Sequence, residues 1–213
     1  MPYQKVATQV FRRMNSSRGS VWSAKDFADL GTRAAVDQAL RRLSLSGRIR
    51  KVARGLYDYP QASPLVGTRA PRADAVAKGA ARARGAKVRP TGAVAANALG
   101  LSSQVPARAD YITDGPARTL DLAGRRVTLK RVAPKRLALP AGAGALVEAL
   151  RYLGKDAVRK LGAMDIQRVA KSLNASDARA LRNAMHHAPD WMKSTIDGVI
   201  EAQKSTDESD SGE

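Results

Sequence analysis

Hydrophobic positions in the first sixty residues follow two periods in turn. Val6, Val10, Phe11 and Met14 recur at intervals of three and four, which predicts a helix over 3–15 with Arg12 and Arg13 turned to solvent. Ser16-Ser17-Arg18-Gly19 reads as a loop, and Val21-Trp22 as a short strand or staple whose indole packs on the core. Ser23 stands three residues before Asp26, the spacing of a capping box, and Gly31 stops the short helix that it starts. Thr32 caps a second helix with Val36, Ala39, Leu40 and Leu43 on its inner face, and Gly47 ends that helix. Two segments rich in β-branched, aromatic and basic residues then flank Ala53-Arg54-Gly55 and read as a hairpin. Helix, tight turn, helix and basic hairpin in this order predict a winged helix-turn-helix over 1–60.

The pattern changes after Pro60. Pro60, Pro64, Gly67 and Pro71 interrupt any period, so 61–71 reads as a linker. Beyond it, Arg72–Gly85 is an Ala-rich helix, and a second helix near 91–99 ends at Gly100. Tyr111-Ile112, Thr119–Leu122 and Arg125–Val132 read as strands, with a turn at Thr113–Pro116 and Gly124 before the third. Pro134–Gly144 looks like loop. Short helices follow at 145–153, 156–161, 164–173, 176–185 and 190–203, enough for a helical bundle. The predicted class is α+β: the winged domain, then a mixed α/β domain over 72–203 with a small antiparallel sheet and C-terminal helices. The Ser/Asp/Glu-rich stretch 204–213 reads as a disordered acidic tail.

The outer face of the second helix gives this architecture a use. With Val36, Leu40 and Leu43 inward, Ala34, Gln38 and Arg41 project outward, flanked by Arg33, Asp37 and Arg42. Arg and Gln on such a stripe can read guanine and adenine edges in a major groove. Arg48, Arg50, Lys51 and Arg54 on the hairpin suit phosphate or minor-groove contact.

Charge points the same way. The chain of 213 residues carries a net +18, distributed as +8 over 1–60, +10 over 61–135, +3 over 136–203 and −3 over 204–213. A polyanionic partner follows; ribosomal RNA or anionic lipid would satisfy the charge alone, and the helix-turn-helix pattern is what favours duplex DNA. Cysteine is absent, which excludes disulfides and thiolate metal sites and fits a reducing cytoplasm. The sequence contains no apolar run of membrane-spanning length and no secretion-type start, so neither membrane nor export is expected.

Candidate catalytic features are few. His186 and His187 are adjacent, hence on different faces of a helix, and do not form a metal pair. Gly142-Ala143-Gly144 lacks the rest of a phosphate-binding loop. Asp110 and Asp114 with Lys130 could imitate a nuclease-like cluster, but Asp114-Gly115-Pro116 is simply read as a turn. We expect no enzyme activity, no metal and no cofactor.

Several separated segments carry a family pattern. Ala34–Leu40, Gly55–Pro60, Pro90–Asn97, Leu101–Pro106, Tyr111–Pro116 and Arg151–Asp156 occur in order over about 20–160. Together they resemble the AbiEi-type antitoxins of bacterial type IV toxin–antitoxin systems. The resemblance implies an N-terminal domain that represses its own operon and a C-terminal part that opposes a nucleotidyltransferase-like toxin. The expectation is a cytoplasmic autorepressor with two partners, operator DNA and the cognate toxin. A non-specific, nucleoid-type nucleic-acid-binding protein is the alternative.

Overall fold

A computed structural model describes residues 2–63, 67–104, 108–122 and 125–210. The expectations placed on Pro64, Val105-Pro106, Gly124 and Ser211–Glu213 lie outside the described residues. The chain is mixed α+β and divides into two compact units. The first takes Met1–Val88 and Gly115–Leu129, the second Arg89–Asp114 and Lys130–Glu213. The boundary is therefore not at Pro60–Pro71.

The first unit begins with α1 (Pro2–Ser16), β1 (Val21–Trp22) and a 3-10 segment at Ala24–Leu30. The predicted capping box is formed: the Asp26 carboxylate accepts from the Ser23 N–H at 2.7 Å and from the Ser23 hydroxyl at 3.0 Å. The segment is tighter than the α-helix expected and is kinked at Phe27, which drives that ring fully into the core. α2 (Arg33–Leu45) follows, with the Thr32 hydroxyl oxygen accepting from the Ala35 N–H at 3.3 Å. Val6, Val10, Met14, Phe27, Val36, Ala39, Leu40, Leu43 and Ile49 form one buried cluster. These apolar positions are the periodic ones of the sequence, so both helices exist because their stripes meet.

β2 (Arg50–Ala53) and β3 (Leu56–Asp58) make the hairpin, and β1 adds to the outer edge of β3, giving the antiparallel order β1-β3-β2. Gly55 at the turn has φ +76°, a conformation that costs other L-residues energy. The supposed linker 61–71 is itself structured: β4 (Gln61–Ser63) pairs antiparallel with β5 (Gly67–Arg69). α3 (Ala73–Arg82) then lies on β1, at a distance that only glycine permits. A Cβ built on Gly79 would stand 2.7 Å from the Val21 carbonyl oxygen. Arg82 fastens the helix from its last turn, donating to the Val21 carbonyl at 2.7 Å and to Asp26 at 2.6 Å. Residues 61–88 thus belong to the first body, because their side chains complete its hydrogen bonds. β8 (Arg118–Leu122) pairs with β9 (Arg125–Arg131), and this hairpin joins the unit from far downstream.

The second unit holds most of β6 (Val88–Pro90), α4 (Ala93–Ala98), β7 (Arg108–Thr113), and α5 (Ala141–Val158), α6 (Ala163–Ala170), α7 (Ala175–Ala184) and α8 (Asp190–Asp210). Ala95, Ala96, Leu146, Ala149, Leu150, Val158, Val169, Leu181, Met192, Ile196 and Ile200 are its core. Three sequence expectations are corrected here. Pro134–Leu137 is a 3-10 turn and α5 already starts at Ala141, so 134–144 is not plain loop. The helices expected at 145–153 and 156–161 are one element broken at Gly154, where φ is +77°. The acidic stretch is helical as far as Asp210, an extension of α8.

A buried polar network spans the start of α5. Arg89 donates to the Arg136 carbonyl at 3.2 Å and to the Leu139 carbonyl, and a Cβ on Gly144 would collide with its guanidinium. Glu148 accepts from Thr91 at 2.7 Å and from Arg136 at 2.9 to 3.1 Å. Burial alone would raise the Glu148 pKa, but the hydrogen bonds from Arg136 and Thr91 and the charges of Arg136 and Arg151 outweigh it and hold the value down. Asp177, also buried, accepts from the Ala143 N–H at 2.8 Å. Among the described residues no helix is long and apolar enough to cross a membrane.

Candidate nucleic-acid interface

α2 presents the stripe that the sequence placed outside. Arg33, Ala34, Asp37, Gln38, Arg41 and Arg42 are all exposed, while Ala35, Val36, Ala39, Leu40 and Leu43 are buried. The separation follows from 100° per residue and from α1 and the 3-10 segment packing on one side only. Within the stripe the side chains differ in freedom. Arg33 donates to Asp37 at 2.8 Å, an exposed i,i+4 pair of about 0.3–0.5 kcal/mol. Gln38, Arg41 and Arg42 make no side-chain hydrogen bond or ion pair among the described residues.

The four basic residues assigned to the hairpin separate into two pairs. Lys51 and Arg54 are exposed, the latter at the turn, and neither guanidinium nor ammonium is tied to a described carboxylate. Arg50 is committed inward. It grips the buried Asp58 through two nitrogens, Nε at 3.0 Å from Oδ1, and reaches the Arg69 carbonyl at 2.9 Å. Pairing across β2 and β3 sets Arg50 directly opposite Asp58, so the hairpin needs this arginine to neutralise a carboxylate taken out of water. The Arg48 guanidinium lies over the Phe11 ring, 3.8 Å from its centroid, and the residue stays exposed.

Basic residues that the sequence did not single out reach the same hairpin. Arg118 of β8 donates to the Arg54 carbonyl at 2.9 Å, across 64 positions of sequence. Partial burial, and then the positive charges of Arg84 and Arg54, depress its pKa. Nothing in the linear pattern pairs Arg54 with Arg118, because that contact is made by tertiary docking of one hairpin on another.

Behind the interface, Arg13 bonds Asp29 at 2.6 and 2.8 Å, which raises the arginine's pKa, and also donates to the Asp26 carbonyl at 2.9 Å. Arg13 and Arg82 lie 5.8 Å and 5.7 Å over the stacked rings of Phe27 and Trp22. Burial pushes Asp26 up, yet Arg82 and Ser23 hold it below its ordinary value. These contacts fix the turn from which α2 departs.

The other candidate features are placed as follows. Asp110 pairs with Lys130 at 2.8 Å on the surface of the second unit. His186 and His187 sit in a 3-10 turn with their rings edge to face. Among the described residues, no three His, Cys, Asp or Glu side chains gather as a metal site would require.

Comparison with curated proteins gives no match. Among solved structures, the crystal structure of the RV2827C protein from Mycobacterium tuberculosis is similar over 93% of this chain and 81% of that one, at 19% identity and a TM-score of 0.41. A family model described as a family of unknown function, DUF6088, matches residues 9–178. The chain belongs to that family.

Proposed function

We propose that the first unit is a winged helix-turn-helix that binds duplex DNA, with α2 as the recognition helix and the β2–β3 hairpin as the wing. The observation that carries this reading is the exposed stripe Ala34, Gln38, Arg41 and Arg42, set opposite a fully buried stripe on the same helix. Gln38 and Arg41 would meet base edges, Lys51 and Arg54 the sugar-phosphate backbone. Arg33, Arg42, Arg48 and Asp37 would border the contact, and Arg50 would support it from within the hairpin. On the resemblance to AbiEi-type antitoxins, we extend the proposal to a cytoplasmic autorepressor that also neutralises a nucleotidyltransferase-like toxin.

The test starts by selecting a preferred duplex from a randomised pool with the full chain. Gln38→Ala and Arg41→Ala are expected to cost about 1–3 kcal/mol on that duplex and little on a scrambled one. Lys51→Ala should weaken both equally and reduce the salt slope by about one. Equal losses on both duplexes for Arg41→Ala refute base readout and leave the nucleoid-type alternative. For the antitoxin half, the Gln38→Ala, Arg41→Ala double variant is expressed from an unrelated promoter beside the nucleotidyltransferase-like toxin that the proposal assigns to it. Rescue of growth without operator binding is the expected result, and arrest by a folded variant refutes separate functions.

A further inference from the structure

The loop after α1, the start of β4 and one side of α3 enclose a cleft of about 520 Å³ that lies wholly within the first unit. Its volume falls in the range of small-ligand sites. Four cations line it, Arg18, Arg72, Lys78 and Arg82, against one carboxylate, Asp74. On α3, positions 74, 78 and 82 are four residues apart and so share one face, with Arg72 at the cap. None of the lining residues belongs to α2 or to the β2–β3 hairpin.

The four cations differ in what they have left to give. Arg82 spends Nε on Asp26 and Nη2 on the Val21 carbonyl, and so serves chiefly to hold α3. Arg18 is oriented but not neutralised: Nε and Nη2 donate to the Asn15 side-chain oxygen at 3.0 and 2.8 Å, and its guanidinium lies 5.2 Å over the Tyr59 ring. Arg72 is exposed and has no partner among the described residues. Lys78 pairs with Asp74 at 2.8 Å, an exposed i,i+4 contact that a stronger anion displaces at little cost. The Gln61 amide nitrogen adds a donor, 3.5 Å from where a Cβ on Gly19 would stand. Guanidinium forks, an ammonium and an amide match phosphate oxygens. Among the described residues no aromatic ring lines the cleft, so a base finds nothing to stack on. We propose that this cleft binds a small polyphosphorylated anion, recognised through its chain of phosphate groups. Arg72 and Lys78 contact the phosphates, Lys78 leaving Asp74 to do so, and Arg18 and Arg82 supply the surrounding positive field.

The experiment titrates inorganic tripolyphosphate into the full chain by calorimetry, without magnesium and at about 0.15 M salt. Binding at one site is expected, weakened about 3–10-fold by Arg72→Gln and by Lys78→Gln. Asp74→Asn should tighten it about threefold, because the change frees Lys78 and removes a like charge. Arg179→Gln on α7 serves as the charge control and should change nothing. Melting without ligand confirms that each variant is folded. ATP should bind within about threefold of tripolyphosphate and AMP far more weakly, since only the phosphate chain is held. No heat from the wild-type chain, or equal losses in Arg179→Gln, overturns the proposal, the second by showing a diffuse ion cloud. AMP binding as tightly as ATP refutes recognition through the phosphate chain. A lowered duplex salt slope in Arg72→Gln and Lys78→Gln, with tripolyphosphate ignored, gives the cleft to a nucleic-acid backbone and refutes the small ligand. Duplex binding by α2 survives each of these failures, because no residue assigned to it is altered.

Discussion

Glu148→Gln removes one charge from the centre of the second unit and almost no volume. The carboxylate is 4% exposed and meets Arg136 through three N–H contacts of 2.9 to 3.1 Å and Thr91 through one of 2.7 Å. Breaking a fully buried pair costs about 3–5 kcal/mol, because the remaining charge has no partner. Here the Arg136 side chain is 45% exposed, so water takes over part of its solvation. The amide also keeps one acceptor for Thr91. A loss of about 2 kcal/mol at neutral pH is therefore expected, a fall of about 1 M in the urea midpoint. The unit carries its own reporter in Trp191, and a Trp22→Phe background silences the other indole, whose buried Nε1 lacks a partner in any case. The sign with pH follows from the direction of the shift. Glu148 titrates below its ordinary 4.5 in the folded chain, so its contribution is whole above that value and disappears as pH falls through the folded pKa. The gap between wild type and Glu148→Gln should thus be whole at pH 7 and narrow as the pH is taken progressively below 4.5. A gap that stays the same size down to the acid unfolding of the chain would mean that the amide disturbs packing, and would refute the electrostatic account.

Gly79→Ala should destabilise the first unit by about 1–2 kcal/mol: a gain of about 1 kcal/mol in helix propensity is outweighed by overpacking against the Val21 backbone, which cannot rotate away. A raised melting temperature would contradict the close approach of α3 to β1. Asp58→Ala should cost about 2–4 kcal/mol by stranding Arg50 inside the hairpin, read by urea unfolding of the Trp22 signal. Arg33→Ala should change stability by under about 0.5 kcal/mol but weaken duplex binding, since Asp37 loses its cover on the outer face of α2. A fragment of residues 1–60 should unfold at lower urea than residues 1–88, because Arg82 and its bonds to Val21 and Asp26 are missing.

Much of the first unit was legible because its determinants are local. The spacing Val36, Ala39, Leu40 and Leu43 fixes which face of α2 is wet, and Ser23 and Asp26 meet within one turn. β4 and β5 read as linker in the sequence for a physical reason: Pro60 and Gly67 look like breaks, yet a two-stranded hairpin tolerates such residues at the ends of its strands. The start of α5 was misread likewise. Gly142 and Gly144 argue against a helix on propensity, but Arg89 and Asp177 press so close to that turn that a side chain there would collide. Arginines were the hardest residues to read. Arg50, Arg89 and Arg118 look alike in sequence, and only strand register and tertiary docking make the first an ion-pair partner, the second a buried clamp and the third a partner of the β2–β3 turn.

The first unit is discontinuous: it closes only with residues 115–129, after the chain has spent 89–114 in the second unit. On the ribosome, α1, α2 and the β2–β3 hairpin emerge first, but Arg118 leaves the exit tunnel some sixty positions after Arg54. The nascent chain therefore holds a finished α2 before it holds the hairpin that docks on the β2–β3 turn. A gene split after residue 60, 71 or 88 delivers the first unit in two pieces, and transplanting that unit whole calls for moving 1–88 together with 115–129.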